Sequence, residues 1–299
     1  MRGRSDGAAL TREYLDALKH QRRLSPATLR NYGHALDLLF SLLKDMDPAR
    51  LEPAQVRRFV ALMHAKGLAP RTLALMLSAW RGYFHWLVRH RGYRANPVVG
   101  IRAPRAARPL PKALSVEATQ RLLDEAPEGA ELMRDAAMFE LLYSSGLRRA
   151  ELIALNVDDG LDLREAVVTV TGKGARTRTV PVGAHACQAL KRWLEARAQL
   201  AAPGERALFV GTRGKRIGPS LVGTRLRAWA RRRGLSERVH PHMLRHSFAS
   251  HMLQSSQDLR AVQELLGHAS ISTTQIYTHL DFQALAKVYD AAHPRAKKK

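Results

Sequence analysis

The chain has 299 residues, 45% of them apolar and 25% charged; this is the composition of a folded globular protein, and at roughly 100 to 200 residues per domain it predicts two domains. Lysine and arginine number 49 against 26 acidic residues, a formal charge of +23, so a polyanion is the first partner to expect. The single cysteine, Cys187, excludes an intramolecular disulfide and a cysteine-based zinc site, and the lack of any run of about 18 apolar residues predicts a cytoplasmic protein with no membrane insertion.

The charge is spread along the chain. Residues 1–110 hold 20 basic and 7 acidic side chains, and no acidic residue falls between Glu52 and Glu117, a stretch with 12 lysines and arginines. A second acid-free stretch lies between Glu205 and Glu237. Surfaces of this kind lack the partners that ordinarily neutralise them, so both halves are expected to touch the polyanion.

Ser25-Pro26 supplies a cap and a proline at the first helical position, and Leu29, Tyr32, Leu36, Leu39, Phe40 and Leu43 follow helical spacing behind it. The same period recurs at Val56, Phe59, Val60, Met63 and at Leu73, Met76, Trp80, Phe84, Leu87, Val88, separated by Gly67 and Pro70. Residues 9–92 therefore read as a basic helical bundle, the core of an N-terminal polyanion-binding domain spanning 1–95. From Asn96-Pro97, residues 96–112 interleave Gly100, Pro104, Pro109 and Pro111 with Arg102, Arg105, Arg108 and Lys112. This segment cannot propagate a helix and is expected to bury nothing, which makes it a basic linker. Two domains joined this way can close on a duplex as a clamp.

Residues 113–299 form the second domain. Ser115 caps a predicted helix over 116–126, and Leu132, Ala136, Phe139, Leu142 and Tyr143 mark another that ends at Gly146. Val167-Val168-Thr169-Val170 and Thr179-Val180-Pro181-Val182 flank Gly172-Lys173-Gly174, the signature of a β-hairpin with Lys173 near its tip. Helices are predicted again at about 184–199, 219–233, 241–253, 258–266 and 272–277, with a short terminal helix before His293-Pro294. The fold class is mainly α, with a small β-hairpin or sheet in the second domain.

Groups able to do chemistry concentrate between Arg148 and Tyr277. Behind Pro241, the residues His242, Arg245 and His246 sit at i, i+3 and i+4, placing imidazole and guanidinium on one helical face where one phosphate can touch both. Leu266-Gly267-His268 reads as a helix end that presents His268 from a turn, and Tyr277 follows nine residues later. His242 and His246 have the spacing of helical zinc ligands, but there is no HExxH, no paired carboxylate cluster and no second cysteine; Gly172-Lys173-Gly174 lacks the rest of a nucleotide loop. No metal and no cofactor are expected. What remains is phosphoryl transfer driven by side-chain cations, with a tyrosine whose ordinary pKa of about 10 is brought into use by a base or by nearby positive charge.

With these residues the sequence resembles the tyrosine recombinases of the phage integrase family. The likeness spans the chain, from Leu24-Ser25-Pro26 through GLRRAEL at 146–152, TGKG at 171–174, HPHMLRHSFASHML at 240–253, ELLGHASISTTQIYTHLDF at 264–282 and VYDAAHPRAK at 288–297. The resemblance implies a two-domain clamp with a SAM-like, core-binding N-terminal domain and a catalytic domain whose C-terminal segment, after about Gln283, packs into a neighbouring subunit. It also implies roles. Tyr277 is the nucleophile that forms a 3′-phosphotyrosyl link and frees a 5′-hydroxyl. Arg148 and Arg245 hold the non-bridging oxygens, His268 adds a third hydrogen bond, His242 handles the tyrosyl proton and Lys173 protonates the leaving oxygen. The partners it implies are duplex DNA with a dif-like site, a XerD paralogue in a synapse of two subunits of each kind, and the FtsK DNA translocase, for resolving chromosome dimers at cell division.

One departure is visible. Arg149-Ala150 follow Arg148, where the family has an apolar residue and then Ser or Thr, so two arginines compete for the inward position. Arg148 directly follows Gly146-Leu147, as in the family, and a helix starting there turns Arg149 away by about 100°. Other classes fit the charge: a phage or plasmid-type integrase, a non-catalytic architectural DNA-binding protein, a metal-dependent nuclease, or a type IB topoisomerase.

Overall fold

The computed structural model describes residues 2–22, 24–44, 46–105, 113–124, 127–172, 177–267 and 279–297. Contacts divide the chain into two compact units, Met1–Arg108 and Pro109–Lys299.

The first unit is helical throughout its described elements: α1 (Arg2–Gln21), α2 (Pro26–Leu43), a 3₁₀ turn (Pro48–Arg50), α3 (Pro53–Ala65) and α4 (Pro70–Arg91). The start of α2 is the one the sequence predicts, with the Ser25 hydroxyl accepting from the Thr28 amide at 3.2 Å and proline entering the first turn. Leu36, Leu39, Val56, Trp80 and Phe84 close the core, and the Trp80 indole donates to the Ala35 carbonyl at 2.7 Å. The stretch beyond α4 differs from expectation. Val98 and Ile101 are buried in this same core, Asn96 donates to the Arg81 carbonyl, and Arg81 donates to the Ile101 carbonyl, each at 2.9 Å. An apolar pair among prolines is enough to hold this part of the segment against the bundle. Residues 106–112 lie outside the described residues.

The second unit is built round α6 (Ala130–Ser144), whose residues from Arg134 onward are all buried. A helix covered on every side has no polar face to display, which is why it forms the centre. Short α5 (Val116–Leu123) precedes it, capped by the Ser115 hydroxyl. After α7 (Arg149–Ala154) comes an antiparallel sheet of β1 (Leu161–Asp162), β2 (Val167–Thr171) and β3 (Thr177–Pro181), with Val168 opposite Val180 and Thr171 opposite Thr177. The pairing of β2 with β3 is as predicted, the turn with Lys173 lying outside the described residues; β1, two residues long, is an addition that no alternation pattern could announce. Then follow α8 (Ala184–Ala196), a 3₁₀ turn (Arg197–Gln199), α9 (Pro219–Arg232), α10 (Pro241–Ser256), α11 (Leu259–Leu266) and α12 (His279–Ala292). The predicted helix at 272–277 lies outside the described residues.

In this single chain, the terminal segment expected to reach a neighbouring subunit lies on its own unit. The Tyr289 hydroxyl meets the Ser144 hydroxyl at 2.8 Å, His293 stacks on Tyr289, Arg295 pairs with Glu140, and the Ala184 amide donates to the Ala296 carbonyl at 2.9 Å. No helix among the described residues is long and apolar enough to cross a membrane.

Candidate active site

Two chain reversals prepare the site. Gly146 ends the turn after α6 with φ +56°, and a Cβ there would stand 2.5 Å from the Phe248 ring. Gly267 closes α11 with φ +62°, and its Cβ would press on the Arg178 side chain at 2.9 Å. Only glycine meets both the left-handed backbone and the close approach. These reversals bring the carbonyls of Gly146, Leu265, Leu266 and Gly267 to one place, the last three forming the negative end of α11.

Arginines fill that place. Arg148 stands at the N-cap position of α7 with extended backbone. Its amide donates to Glu151 Oε2 and its guanidinium to Glu151 Oε1, both at 2.8 Å, while Nη2 reaches the Gly267 carbonyl at 3.4 Å. Arg149, the first residue inside the helix, is exposed and bonds the Pro219 carbonyl at 3.3 Å. Arg245, from the second turn of α10, is only 9% exposed and donates to the carbonyls of Gly146 and Leu266. Arg178, on β3, donates to both oxygens of Glu151 at 2.9 Å and through Nε to the Leu265 carbonyl at 3.1 Å.

One carboxylate thus serves this cluster of arginines, and the electrostatics follow. Burial alone would raise the Glu151 carboxyl, but hydrogen bonds from Arg178 and from the Arg148 amide and guanidinium bring it down to about 2. Arg245 moves the other way: burial first, then the charges of Arg148 and Arg178, lower it to about 10, with Glu151 opposing. It stays protonated at neutral pH. Among the described residues, two of its five N–H donors are given to carbonyls. His242, exposed on the first turn of α10, lies below the ordinary histidine value because of desolvation and of neighbouring His240, Arg149, His246 and Arg245. It is a neutral base at pH 7. Among the described residues, no three histidine, cysteine, aspartate or glutamate side chains gather as a metal site.

Of the residues singled out in the sequence, the structure brings together Arg148, Arg245 and His242. Lys173, His268 and Tyr277 lie outside the described residues. Glu151 and Arg178 were not singled out. Glu151 had a signal, an acid three residues after Arg148 in a first helical turn. Arg178 had a weaker one, an arginine two residues before buried Val180 and so on the same strand face.

An arginine cluster of this kind on a mainly helical unit, in a chain with a second helical unit, fits a phosphate-handling DNA enzyme, and the comparisons give its family. The model of the phage integrase family matches residues 112–284, and that of the phage integrase N-terminal SAM-like domain matches residues 11–91. The tyrosine recombinase XerC 1 of Ralstonia nicotianae is 51% identical, over 96% of this chain and 93% of that one. The tyrosine recombinase XerC of Salmonella typhi is 49% identical, over 95% of each. Among solved structures, XerH recombinase in a post-cleavage complex with a palindromic difH substrate aligns with 94% of this chain and 84% of that one at TM-score 0.68 and 23% identity. A lambda integrase dimer bound to a COC′ core site aligns with 90% of this chain and 99% of that one, also at 0.68 and 17% identity. These last two show the shared fold. The chain belongs to the phage integrase family and is a tyrosine recombinase, a site-specific DNA recombinase.

Proposed function

We propose that this recombinase cuts and rejoins DNA at a dif-like site by metal-free transesterification. Arg148 and Arg245 bind the non-bridging oxygens of the scissile phosphate, and Tyr277 is the nucleophile. The phenolic oxygen bonds to phosphorus as the bond from phosphorus to the 5′-oxygen breaks; His242 takes the phenolic proton and Lys173 gives one to the departing oxygen. The other DNA end is left as a 3′-phosphotyrosyl ester, so no bond energy is lost and the attack of a 5′-hydroxyl restores the strand without ATP. His268 adds a hydrogen bond to the phosphate. Cationic donors aimed at charge developing on a phosphoryl group are each worth about 3 kcal/mol in the barrier.

The observation that carries this reading is the cation surplus around Glu151, with protonated Arg245 beside neutral His242. A cation-rich site of that kind suits the charge that builds in the transition state. By likeness to the XerC relatives, the reaction takes place in the cytoplasm with a XerD paralogue in a tetrameric synapse, is controlled by the FtsK translocase and resolves chromosome dimers.

The test is covalent trapping on a nicked suicide duplex carrying a dif-like site, in EDTA, with a nucleophile-dead partner recombinase. The wild type is expected to give a denaturant-resistant protein–DNA adduct that Tyr277→Phe does not form, while both bind the site equally in a native gel. Specific binding with no adduct from the wild type would remove the catalytic assignment, and an adduct that persists in Tyr277→Phe would move the nucleophile elsewhere.

A further inference from the structure

We propose that Arg178 is a positioning residue of the phosphate site, an inference that rests on the transesterification reading above. Its side chain is only 10% exposed, and among the described residues each of its hydrogen bonds is with a part of that site. Nη1 and Nη2 grip both oxygens of Glu151 at 2.9 Å, the carboxylate that also receives the amide and guanidinium of Arg148. Nε holds the Leu265 carbonyl at 3.1 Å, and the aliphatic stem fills the space that a side chain at position 267 would need. Arg178 therefore ties β3 to α7 and to the end of α11 at once.

This geometry does more than support the fold. A carboxylate facing Arg148 alone is free to rotate and to draw that guanidinium out of the site, because a single ion pair sets neither partner's orientation. The bidentate fork of Arg178 fixes the plane of the Glu151 carboxylate, and the second oxygen is then aligned with the Arg148 amide. Arg148 is thereby held with Nη1 on Glu151 and Nη2 towards the Gly267 carbonyl. The charge of Arg178 also acts on the site: together with Arg148 it lowers Arg245, and this crowding of cations favours an incoming phosphate. Arg178 has no need to touch DNA for any of this. Supporting groups of this kind typically change activity by about 10- to 100-fold when removed.

The experiment uses the full-length protein and single-turnover adduct formation on the suicide duplex, with native phosphate and with a methylphosphonate at the scissile position. The methyl group removes one non-bridging oxygen and its charge, so a defect in cation placement matters less on that substrate, whereas a general folding defect matters equally on both. Arg178→Gln is expected to slow adduct formation at least about 10-fold on phosphate and to recover most of that loss, relative to wild type, on methylphosphonate, in parallel with Arg148→Ala. Arg178→Lys keeps the charge but lacks the fork, and is expected to fall between Gln and wild type. Gln or Lys variants that cleave phosphate at the wild-type rate would overturn the inference, as would a loss of equal size on both substrates. No adduct from the wild type on phosphate would overturn the transesterification reading, and this inference with it.

Discussion

The catalytic unit buries two arginines to nearly the same degree and treats them in opposite ways. Arg245 is 9% exposed and Arg295 is 6% exposed. Arg295 is enclosed by acids: Nε and Nη2 bond the two oxygens of Glu140, and Nη1 bonds Asp124. Burial works against its charge, yet the paired carboxylates outweigh it and raise its pKa. Among the described residues Arg245 donates to carbonyls alone, and the carboxylate near it, Glu151, is shared with Arg148 and Arg178. The first cluster is electrically closed and serves the fold by pinning the chain terminus to α6. Among the described residues the second has more arginines than acids, and a buried cation short of carboxylates is costly unless an anion offsets it. Burial of an arginine therefore says little about its purpose, whereas the count of acids around it says a great deal.

The largest expected effects come from making one substitution at both places. Arg295→Met strands Glu140 in the core and is expected to lower unfolding free energy by about 3–5 kcal/mol. Arg245→Met removes a cation already short of partners. It is expected to cost stability less than about 3 kcal/mol, for the two carbonyls it leaves bare, but to reduce adduct formation about 100- to 1000-fold. Urea denaturation and suicide-substrate trapping on both variants check this. Equal stability losses at the two sites would break the contrast.

A smaller effect follows from Glu151, the anion of the second cluster. Its carboxyl is held at about 2 against an ordinary 4.5. Because the folded value is the lower one, its contribution to stability is complete above the ordinary value and fades as pH falls from 4.5 towards 2. The size is ~3 kcal/mol, and the side chain is only 3% exposed. Glu151→Gln should thus be less stable than wild type at pH 7 by about that amount, and the gap should close by pH 2. A gap that stays constant over that range would mean that Glu151 acts through packing rather than charge.

The sequence carried these contrasts unevenly. Helix starts were legible because capping is local: Ser25 and Ser115 each accept from an amide three residues on. The hairpin was legible from its β-branched runs. Burial of Val98 and Ile101 was not, since a proline-rich stretch conceals how few apolar residues are needed to dock it. Arg148 and Arg245 stood out through motif and spacing. Arg178 did not, because its meaning depends on Glu151, 27 residues away, and only the register of β3 against α7 brings the two together. On the choice between Arg148 and Arg149 the structure adds one backbone fact: the first stands at the cap and the second begins the helix.

That choice offers the finest test. Arg149 lies near His242 without joining the cation cluster and is one of the charges that, after desolvation and His240, hold the imidazole below its ordinary value of 6.5; His246 and Arg245 are the others. A histidine depressed in this way is neutral at pH 7 and accepts a proton there, so the acid limb of adduct formation should have its midpoint below pH 6.5. Removing one cation relieves part of the depression. Arg149→Ala should move the limb upward by less than about one pH unit, since exposed charges are screened, and leave the rate at pH 7.5 near that of wild type. Arg148→Ala should instead lower the rate at every pH, because it withdraws a donor from the phosphate rather than a charge from the base. The two variants are to be compared in single-turnover profiles from pH 5.5 to 8.5, as Tyr277-dependent adduct. If Arg149→Ala lost the rate across the whole profile while Arg148→Ala merely shifted it, the inward arginine would be Arg149, and the geometry built on Glu151 would belong to the fold rather than to the chemistry.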